Sequence, residues 1–115
     1  MRHLKKGRKF GREKKKREFL LRNLAYSFLH SGKITTTEAK AKELQPMIER
    51  IISQAKTQNL ATTRRLYSLL PARIIPKLVK EIAPKYHKRH GGFTRITKIG
   101  PRKSDSAKLA ILELT

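Results

Sequence analysis

The chain begins with a segment that cannot belong to a hydrophobic core. Its first seventeen residues, MRHLKKGRKFGREKKKR, contain ten Lys or Arg residues and a single acid, Glu13. Burying so many unpaired charges would cost far more free energy than apolar contacts could return. The remaining residues must therefore supply the fold, and this segment is expected to meet a polyanion.

The whole chain is strongly basic, with 29 Lys or Arg and 8 Asp or Glu among 115 residues, a formal net charge of +21. Self-repulsion of this size weakens the compact state unless a counter-charge is present. The excess lies in two blocks: residues 1–33 (12 basic, 2 acidic) and residues 85–103 (7 basic, no acid), whereas residues 34–56 (4 basic, 3 acidic) are nearly neutral. Two dense blocks indicate nucleic-acid contact, because phosphates that pair with Lys and Arg release their condensed counterions.

The N-terminal segment is predicted to be an arm outside the domain. Residues 1–12 contain two glycines, and no apolar residue recurs in them at helical spacing. We expect an extended or disordered basic arm over residues 1–12 and a single domain over residues 13–115, which is an ordinary size for one domain.

Apolar periodicity predicts four helices in this domain, over about residues 13–29, 36–57, 59–70 and 76–83. Ser31-Gly32 is predicted to stop the first of them. In the second helix, the apolar stripe stays in phase across Pro46, which predicts one kinked helix. The residues of this stripe are Ala41, Leu44, Ile48, Ile51, Ile52 and Ala55. Thr35 and Glu38 have the spacing of a capping box at its start. The first helix carries a run of cations in its first turns, where the helix dipole favours anions, and this conflict indicates an external anion.

The pattern changes to strands in three places. Residues 33–36 are short and β-branched, as in an edge strand, and residues 93–99 and 107–114 alternate between apolar and polar. The polar loop between the last two, residues 100–106, predicts a β-hairpin with a basic tip. The prediction is therefore an α+β fold, with about four helices packed on a small sheet and a basic N-terminal extension.

Motifs for catalysis or cofactor binding are missing from the sequence. It has no Cys, no phosphate-loop spacing and no nucleophile elbow, and the pair His87 and His90 has no neighbouring carboxylate or thiol to complete a metal site. We expect no enzyme activity, cofactor, metal or small-molecule substrate. No apolar run approaches the length of a membrane span, and the apolar face of the first helix is assigned to the core, so no membrane partner is expected.

The nucleic-acid-binding residues are expected in the two basic blocks, with one further cation in the second helix. They are Arg2, His3, Lys5, Lys6, Arg8, Lys9, Phe10, Arg12, Lys14, Lys15, Lys16, Arg17, Arg22, Lys40, Lys85, Lys88, Arg89, His90, Arg95, Arg102 and Lys103. Phe10 is included because a ring in a segment without a core of its own is free to stack on a base. Tyr86 is a second candidate ring, whereas Phe93 is assigned to the strand core.

RNA is the favoured nucleic acid. The sequence shows no helix-turn-helix and no basic region followed by heptads, which are the usual ways of placing a helix in the major groove of DNA. Long basic arms that fold on binding suit irregular RNA surfaces. A nucleoid-associated DNA-binding protein is the alternative.

Several short motifs resemble one known family. They are Met1-Arg2-His3, Gly7-Arg8-Lys9, Leu21-Arg22-Asn23-Leu24-Ala25, Ile34-Thr35-Thr36-Thr37, Lys40-Ala41-Lys42-Glu43-Leu44 and Gly91-Gly92-Phe93-Thr94-Arg95-Ile96. In this order and spacing they resemble ribosomal protein seventeen of the bacterial large subunit, over nearly the whole chain.

The resemblance implies an α+β domain with an N-terminal extension, bound to large-subunit ribosomal RNA beside neighbouring ribosomal proteins. It implies a place on the solvent side of the subunit, near the peptide exit tunnel, and no catalytic residues. We expect a cytoplasmic ribosome rather than an organelle one, because no transit peptide is evident. Family members commonly have Gly-Asp in the last hairpin loop, where this chain has Ser104 before Asp105, so a different local turn is expected.

Overall fold

Four helical segments and a three-stranded antiparallel sheet make up the described part of the chain, in a computed structural model that describes residues 7–57 and 59–115. The helices are α1 (Lys14–Ser31), α2 (Glu38–Thr57), α3 (Leu60–Leu69) and a composite segment, α4, over residues 72–85. The strands are β1 (Lys33–Thr37), β2 (Thr94–Pro101) and β3 (Lys108–Leu114). The prediction of an α+β fold with about four helices on a small sheet is confirmed.

The first helix, α1, is capped at its C-terminus but has no side-chain cap at its N-terminus. Gly32 follows it in the left-handed conformation (φ +84°), and the Gly32 N–H donates to the Phe28 carbonyl over 2.7 Å. At the other end, the side chain of Glu13 makes no capping hydrogen bond, and the first turn holds no acid. Ser31 and Gly32 therefore end the helix as predicted, and no acid in its first turn complements the helix dipole.

The second helix, α2, is the main support of the core. Its buried residues are Ala41, Leu44, Ile48, Ile51, Ile52 and Ala55, which is the predicted stripe. The helix is continuous through Pro46, so the prediction of one helix rather than two is confirmed. The predicted capping box is wrong, because Thr35 lies within β1 and α2 begins at Glu38; the Thr37 hydroxyl accepts from the Lys40 N–H instead, over 3.4 Å.

The helices α3 and α4 complete the helical layer. Asn59 caps α3 in a reciprocal capping box with Thr62. The segment α4 starts as a 3-10 turn (Ala72–Ile74), continues through an α-helical turn (Ile75–Lys77) and a π-helical stretch (Leu78–Ile82), and ends in a second α-helical turn (Ala83–Lys85). The predicted end at Ala83 is wrong, because the last α-helical turn runs from Ala83 to Lys85 and contains Pro84.

The sheet has the order β1-β3-β2, so β1 is an edge strand as predicted and β3 is the centre. The inner face includes Ile34, Leu112 and Ile96, which stand side by side in the register and pack in the core. Pairing in the hairpin continues to Pro101 and Lys108, past a bulge between Lys98 and Gly100. The loop between the two strands therefore spans residues 102–107 rather than the predicted 100–106.

Side chains of α2 hold the beginning of β2. The Glu49 carboxylate accepts from the backbone N–H groups of Phe93 and Thr94, each over 3.1 Å, and from the Thr94 hydroxyl over 2.9 Å. The Gln45 amide donates to the same Thr94 hydroxyl over 3.1 Å. At the end of α2, the Lys56 ammonium donates to the Arg89 carbonyl and lies 5.1 Å from the centre of the Phe93 ring. These contacts fix the hairpin against the helical layer.

Candidate nucleic-acid interface

The described part of the N-terminal arm lies against the domain. Residues 7–12 form a bend and a turn, in which the Arg12 N–H donates to the Lys9 carbonyl over 3.1 Å and the Arg12 guanidinium donates to the Phe10 carbonyl over 2.8 Å. The Arg8 guanidinium pairs with the Glu43 carboxylate on α2 over 3.2 Å. Four predicted RNA-binding residues lie outside the described residues: Arg2, His3, Lys5 and Lys6.

Phe10 occupies an unusual position within this turn. Its backbone is in the left-handed region (φ +55°), which non-glycine residues rarely adopt, and its side chain is only partly buried. Its ring therefore keeps access to solvent, and base stacking by Phe10 stays a prediction.

The helix α1 presents a basic face to solvent. Lys14, Lys15 and Lys16 are exposed, and Arg17 and Arg22 are half-buried. None of these five makes an ion pair with a residue of the described part of the chain. Phe19 lies among them with 61% of its surface exposed. Sequence reasoning missed Phe19, although helical spacing already placed it off the apolar arc of α1.

Four cations meet at the start of α2, and we name them, together with Glu38, the α2-start cluster. The members are Arg8 from the arm, Lys42 from α2, Lys98 from β2 and Lys108 from β3. The Glu38 carboxylate lies 2.8 Å from the Lys42 ammonium and 3.7 Å from the Lys98 ammonium. Arg8, Lys42 and Lys108 also line a shallow cavity of about 330 Å³, with Thr37 and Ala39.

The α2-start cluster keeps a positive excess, because its one acid is already ionised and shared. The hydrogen bond from Lys42 lowers the pKa of Glu38, and the charges of Lys42, Lys98 and Lys108 lower it further, whereas partial burial opposes them. Lys42, Lys98 and Lys108 were absent from the predicted site. They are brought together only by the strand register, in which Thr37 pairs with Leu109 and Lys98 with Ala110. Lys40, which was predicted, lies half-buried in the same first turn of α2.

A second group of basic residues lies at the opposite end of α2. Lys85, Lys88 and His90 are exposed as predicted for binding residues. Arg89 is committed to the fold: its guanidinium donates to the Thr115 hydroxyl over 2.6 Å and lies 5.6 Å from the Tyr86 ring centre. The cation predicted to bind RNA at this position therefore has an intramolecular partner.

Tyr86 and Phe93 are core residues. Tyr86 is 3% exposed and Phe93 is fully buried, and their ring centres lie 5.1 Å apart. The Tyr86 hydroxyl donates to the Thr115 carbonyl over 2.9 Å, and burial raises the pKa of this hydroxyl. The suggestion that Tyr86 stacks on a base is wrong, because its ring is enclosed, whereas the assignment of Phe93 to the core is confirmed.

The hairpin pairs two of its predicted RNA-binding cations internally. Arg95 pairs with Glu113 on β3 over 2.8 Å, and Arg102 pairs with Asp105 in the loop over 2.6 Å. The Arg102 hydrogen bond, helped by the Ala107 N–H, lowers the pKa of Asp105 to about 2. Lys103, at the tip, is exposed and makes no ion pair within the described residues.

The loop differs from expectation at one position. The residue with positive φ is Ser106 (φ +61°), whereas Ser104, where the family resemblance implied glycine, is not among the left-handed residues. The expected conflict at Ser104 therefore does not arise, and the strain lies two residues later.

The predicted second block, residues 85–103, does not form one patch. Residues 85–90 lie near the end of α2, beside Lys56, and Lys98 lies near its start, beside Glu38. Glu38 and Lys56 are 18 residues apart in one helix, or about 27 Å at 1.5 Å per residue. The basic residues of this block therefore lie in two groups, one near each end of α2, and Arg8 of the arm lies near the start of the helix.

Two other kinds of feature, metal sites and membrane-spanning helices, are absent from the described part of the chain. Residues 7–57 and 59–115 contain no group of three His, Cys, Asp or Glu side chains placed to hold a metal ion. Within the same ranges, no helix combines the length and the apolar character needed to cross a membrane.

Comparison of the sequence with known proteins gives a family match. The profile of the family described as Ribosomal protein L17 matches residues 20–115. The chain belongs to the ribosomal protein L17 family. The match begins within α1, so residues 1–19 lie outside it.

Two curated relatives cover nearly all of the chain. The large ribosomal subunit protein bL17 of Clostridium botulinum strain Hall is 47% identical over 108 residues, which is 93% of this chain and 96% of the relative. The large ribosomal subunit protein bL17 of Thermoanaerobacter sp. strain X514 is 48% identical over the same shares. The resemblance stated from the sequence motifs is confirmed.

Proposed function

We propose that this chain is a structural constituent of the large ribosomal subunit that binds ribosomal RNA mainly through phosphate contacts. The family and the names of its relatives support this role, and they make the chain a structural protein rather than an enzyme. Its partners would be large-subunit ribosomal RNA and neighbouring large-subunit proteins, in the cytoplasm. Contacts to phosphate position a protein on RNA without reading its sequence.

The single observation that carries the proposal is the unpaired basic face of α1. Lys14, Lys15, Lys16, Arg17 and Arg22 have no acidic partner in the described residues, and no acid in the first turn complements the helix dipole. An external polyanion would supply both missing interactions. The α2-start cluster and residues 85–90 would extend this contact along α2.

The proposed organisation has two parts, an arm over residues 1–12 and a domain over residues 13–115. The ion pair between Arg8 and Glu43 lies near the protein surface, with side chains 47% and 23% exposed. Exposed pairs of this kind contribute about 1 kcal/mol or less. The arm can therefore exchange the Glu43 carboxylate for RNA phosphates at little cost to the domain.

Competition between nucleic acids tests the proposal. The full chain is titrated with protein-free large-subunit ribosomal RNA and with duplex DNA at physiological salt, and we expect the RNA to bind more tightly. Equal or tighter binding of duplex DNA would refute the assignment and favour a nucleoid-associated protein.

A deletion of residues 1–12 tests the two-part organisation. It removes six Lys or Arg residues, so the slope of log affinity against log salt should fall by at most about 4 to 5, at 0.7 to 0.9 per phosphate. Replacing Arg2, Arg8 and Arg12 by Lys preserves the charge and should leave the slope unchanged. The deleted protein should keep its helical circular dichroism, and its unfolding would contradict the division into arm and domain.

A further inference from the structure

Phe19 is the large apolar side chain that α1 leaves in solvent. It is 61% exposed, whereas Ala25, Phe28 and Leu29 of the same helix are fully buried. A single exposed apolar residue is ordinary on a protein surface. The neighbours of Phe19 are what distinguish it.

Cations stand one helical turn before and one turn after Phe19. Lys15 and Lys16 precede it by four and three residues, and Arg22 follows it by three, so their Cβ atoms lie about 5–6 Å from that of Phe19. The two lysines are exposed and Arg22 is half-buried. Glu18 is adjacent in sequence but is turned about 100° around the helix.

We propose that Phe19 is a stacking site for one unpaired RNA base, with Lys15, Lys16 and Arg22 on the flanking phosphates. The inference rests on the proposed function and adds a base contact to a surface otherwise suited to phosphates. A flat ring between cations matches a nucleotide chain, which presents bases and phosphates alternately. It is distinct from the predicted stacking role of Phe10, which lies in the arm.

Charge decides between RNA and a protein as the occupant of this surface. A protein that covered Phe19 would also remove water from two lysines and an arginine, and each would then need a new acidic partner. RNA brings one phosphate with every nucleotide and so supplies these partners without a special sequence. An RNA strand therefore satisfies the ring and the cations together.

Tyr67 on α3 provides a matched control. It is 51% exposed and aromatic, and of the residues one turn before it, Thr63 and Arg64, only one is a cation. If exposure alone made a ring bind RNA, Tyr67 and Phe19 would contribute similarly. We expect Phe19 to contribute and Tyr67 not to.

Binding to protein-free large-subunit ribosomal RNA tests the inference, with the full chain and the variants Phe19→Ala, Phe19→Leu, Phe19→Trp and Tyr67→Ala. Phe19→Ala should raise the Kd by about 5- to 150-fold, the range for loss of one stacked base. Phe19→Leu should behave like Phe19→Ala, because it is apolar but not flat, and Phe19→Trp should bind like the unchanged protein. The salt slope should stay the same in all four, since stacking releases no counterions.

Three outcomes would overturn the inference while leaving the proposed function intact: an unchanged Kd for Phe19→Ala, retention of binding by Phe19→Leu, or an equal loss for Tyr67→Ala. If the unchanged protein fails to bind the RNA, the proposed function itself fails. Thermal unfolding of each variant is the folding control, and the Tm of Phe19→Ala should be unchanged because its ring is exposed.

Crosslinking in assembled subunits provides an independent reading. With p-benzoyl-phenylalanine in place of Phe19, irradiation should attach the chain to ribosomal RNA. A crosslink to a neighbouring protein, or the absence of any crosslink to RNA, would overturn the stacking site.

Discussion

Replacing Glu49 by Ala should destabilise the domain more than replacing any other acidic residue. One carboxylate accepts three hydrogen bonds, from the Phe93 N–H, the Thr94 N–H and the Thr94 hydroxyl. Phe93 is fully buried and Thr94 is 6% exposed, so water cannot readily replace the lost acceptor. The contacts join α2 to the beginning of β2, and Phe93 and Thr94 lie 44 and 45 residues after Glu49 in the sequence.

The magnitude follows from the donors that are left behind. A hydrogen bond to a charged group contributes about 1.5–3 kcal/mol, and an orphaned buried donor costs about 1–3 kcal/mol. Three bonds to one carboxylate are coupled and do not add in full. The Gln45 amide, which also bonds to Thr94, preserves part of the connection. We therefore expect Glu49→Ala to lower the free energy of unfolding by about 3–4 kcal/mol, a large share of the usual 5–15 kcal/mol.

Urea unfolding followed by circular dichroism measures this loss. Glu43→Ala is the matched control, because Glu43 lies on the same helix and makes one exposed pair, and its loss should stay below about 1 kcal/mol. Glu49→Gln should fall between the two, since it keeps one acceptor and turns an N–H₂ group toward a donor. If Glu49→Ala is no more destabilising than Glu43→Ala, the carboxylate does not hold the hairpin.

The remaining predictions concern the hairpin loop, a helix end and the core. The Asp105 carboxyl should titrate in an NMR experiment with a pKa of about 2. The stability that its pair with Arg102 contributes should be fully present when the pH is above the ordinary pKa of 3.8, and should be lost as the pH falls through 2. A measured pKa near 3.8 would contradict the pairing. Gly32→Ala should cost about 1–2 kcal/mol of stability from left-handed backbone strain alone, since an added Cβ meets nothing within 4 Å. Gly91→Ala is the control: its site is equally open but has no positive φ, so this change should cost less. Similar urea midpoints for the two variants would refute this reasoning. Leu44→Ala should cost about 2–5 kcal/mol because Leu44 is fully buried, whereas Leu60→Ala, at a side chain 66% exposed, should have little effect, and equal losses would contradict the assigned core.

The elements that sequence reasoning predicted are those encoded by nearby residues. The stripe of α2 was correct in every member because one face of a long helix is buried throughout. Alternation located both strands of the hairpin, and Gly32 marked the end of α1 through its left-handed conformation. In each case, the residues that form the sequence pattern lie within a few positions of the element that they predict.

The elements that were missed depend on contacts between distant residues. Lys42, Lys98 and Lys108 meet at the start of α2 only because β3 pairs with both other strands. The Tyr86 hydroxyl donates to the Thr115 carbonyl, 29 residues away in the sequence. Spacing within one segment carries no information on either contact, so a list of basic residues could identify the two groups at the ends of α2 only in part.

The position of β3 at the centre of the sheet sets the order in which the domain can form during its own synthesis. Its two partners, β1 and β2, both precede it in the chain, and Lys33 and Lys108 are 75 residues apart. At a synthesis rate of about 5–20 residues per second, about 4–15 s pass between the synthesis of β1 and that of its partner strand β3. The helix α1 and its cations are therefore exposed for seconds before the sheet can close, at the time when a newly made basic segment is most open to any RNA around it.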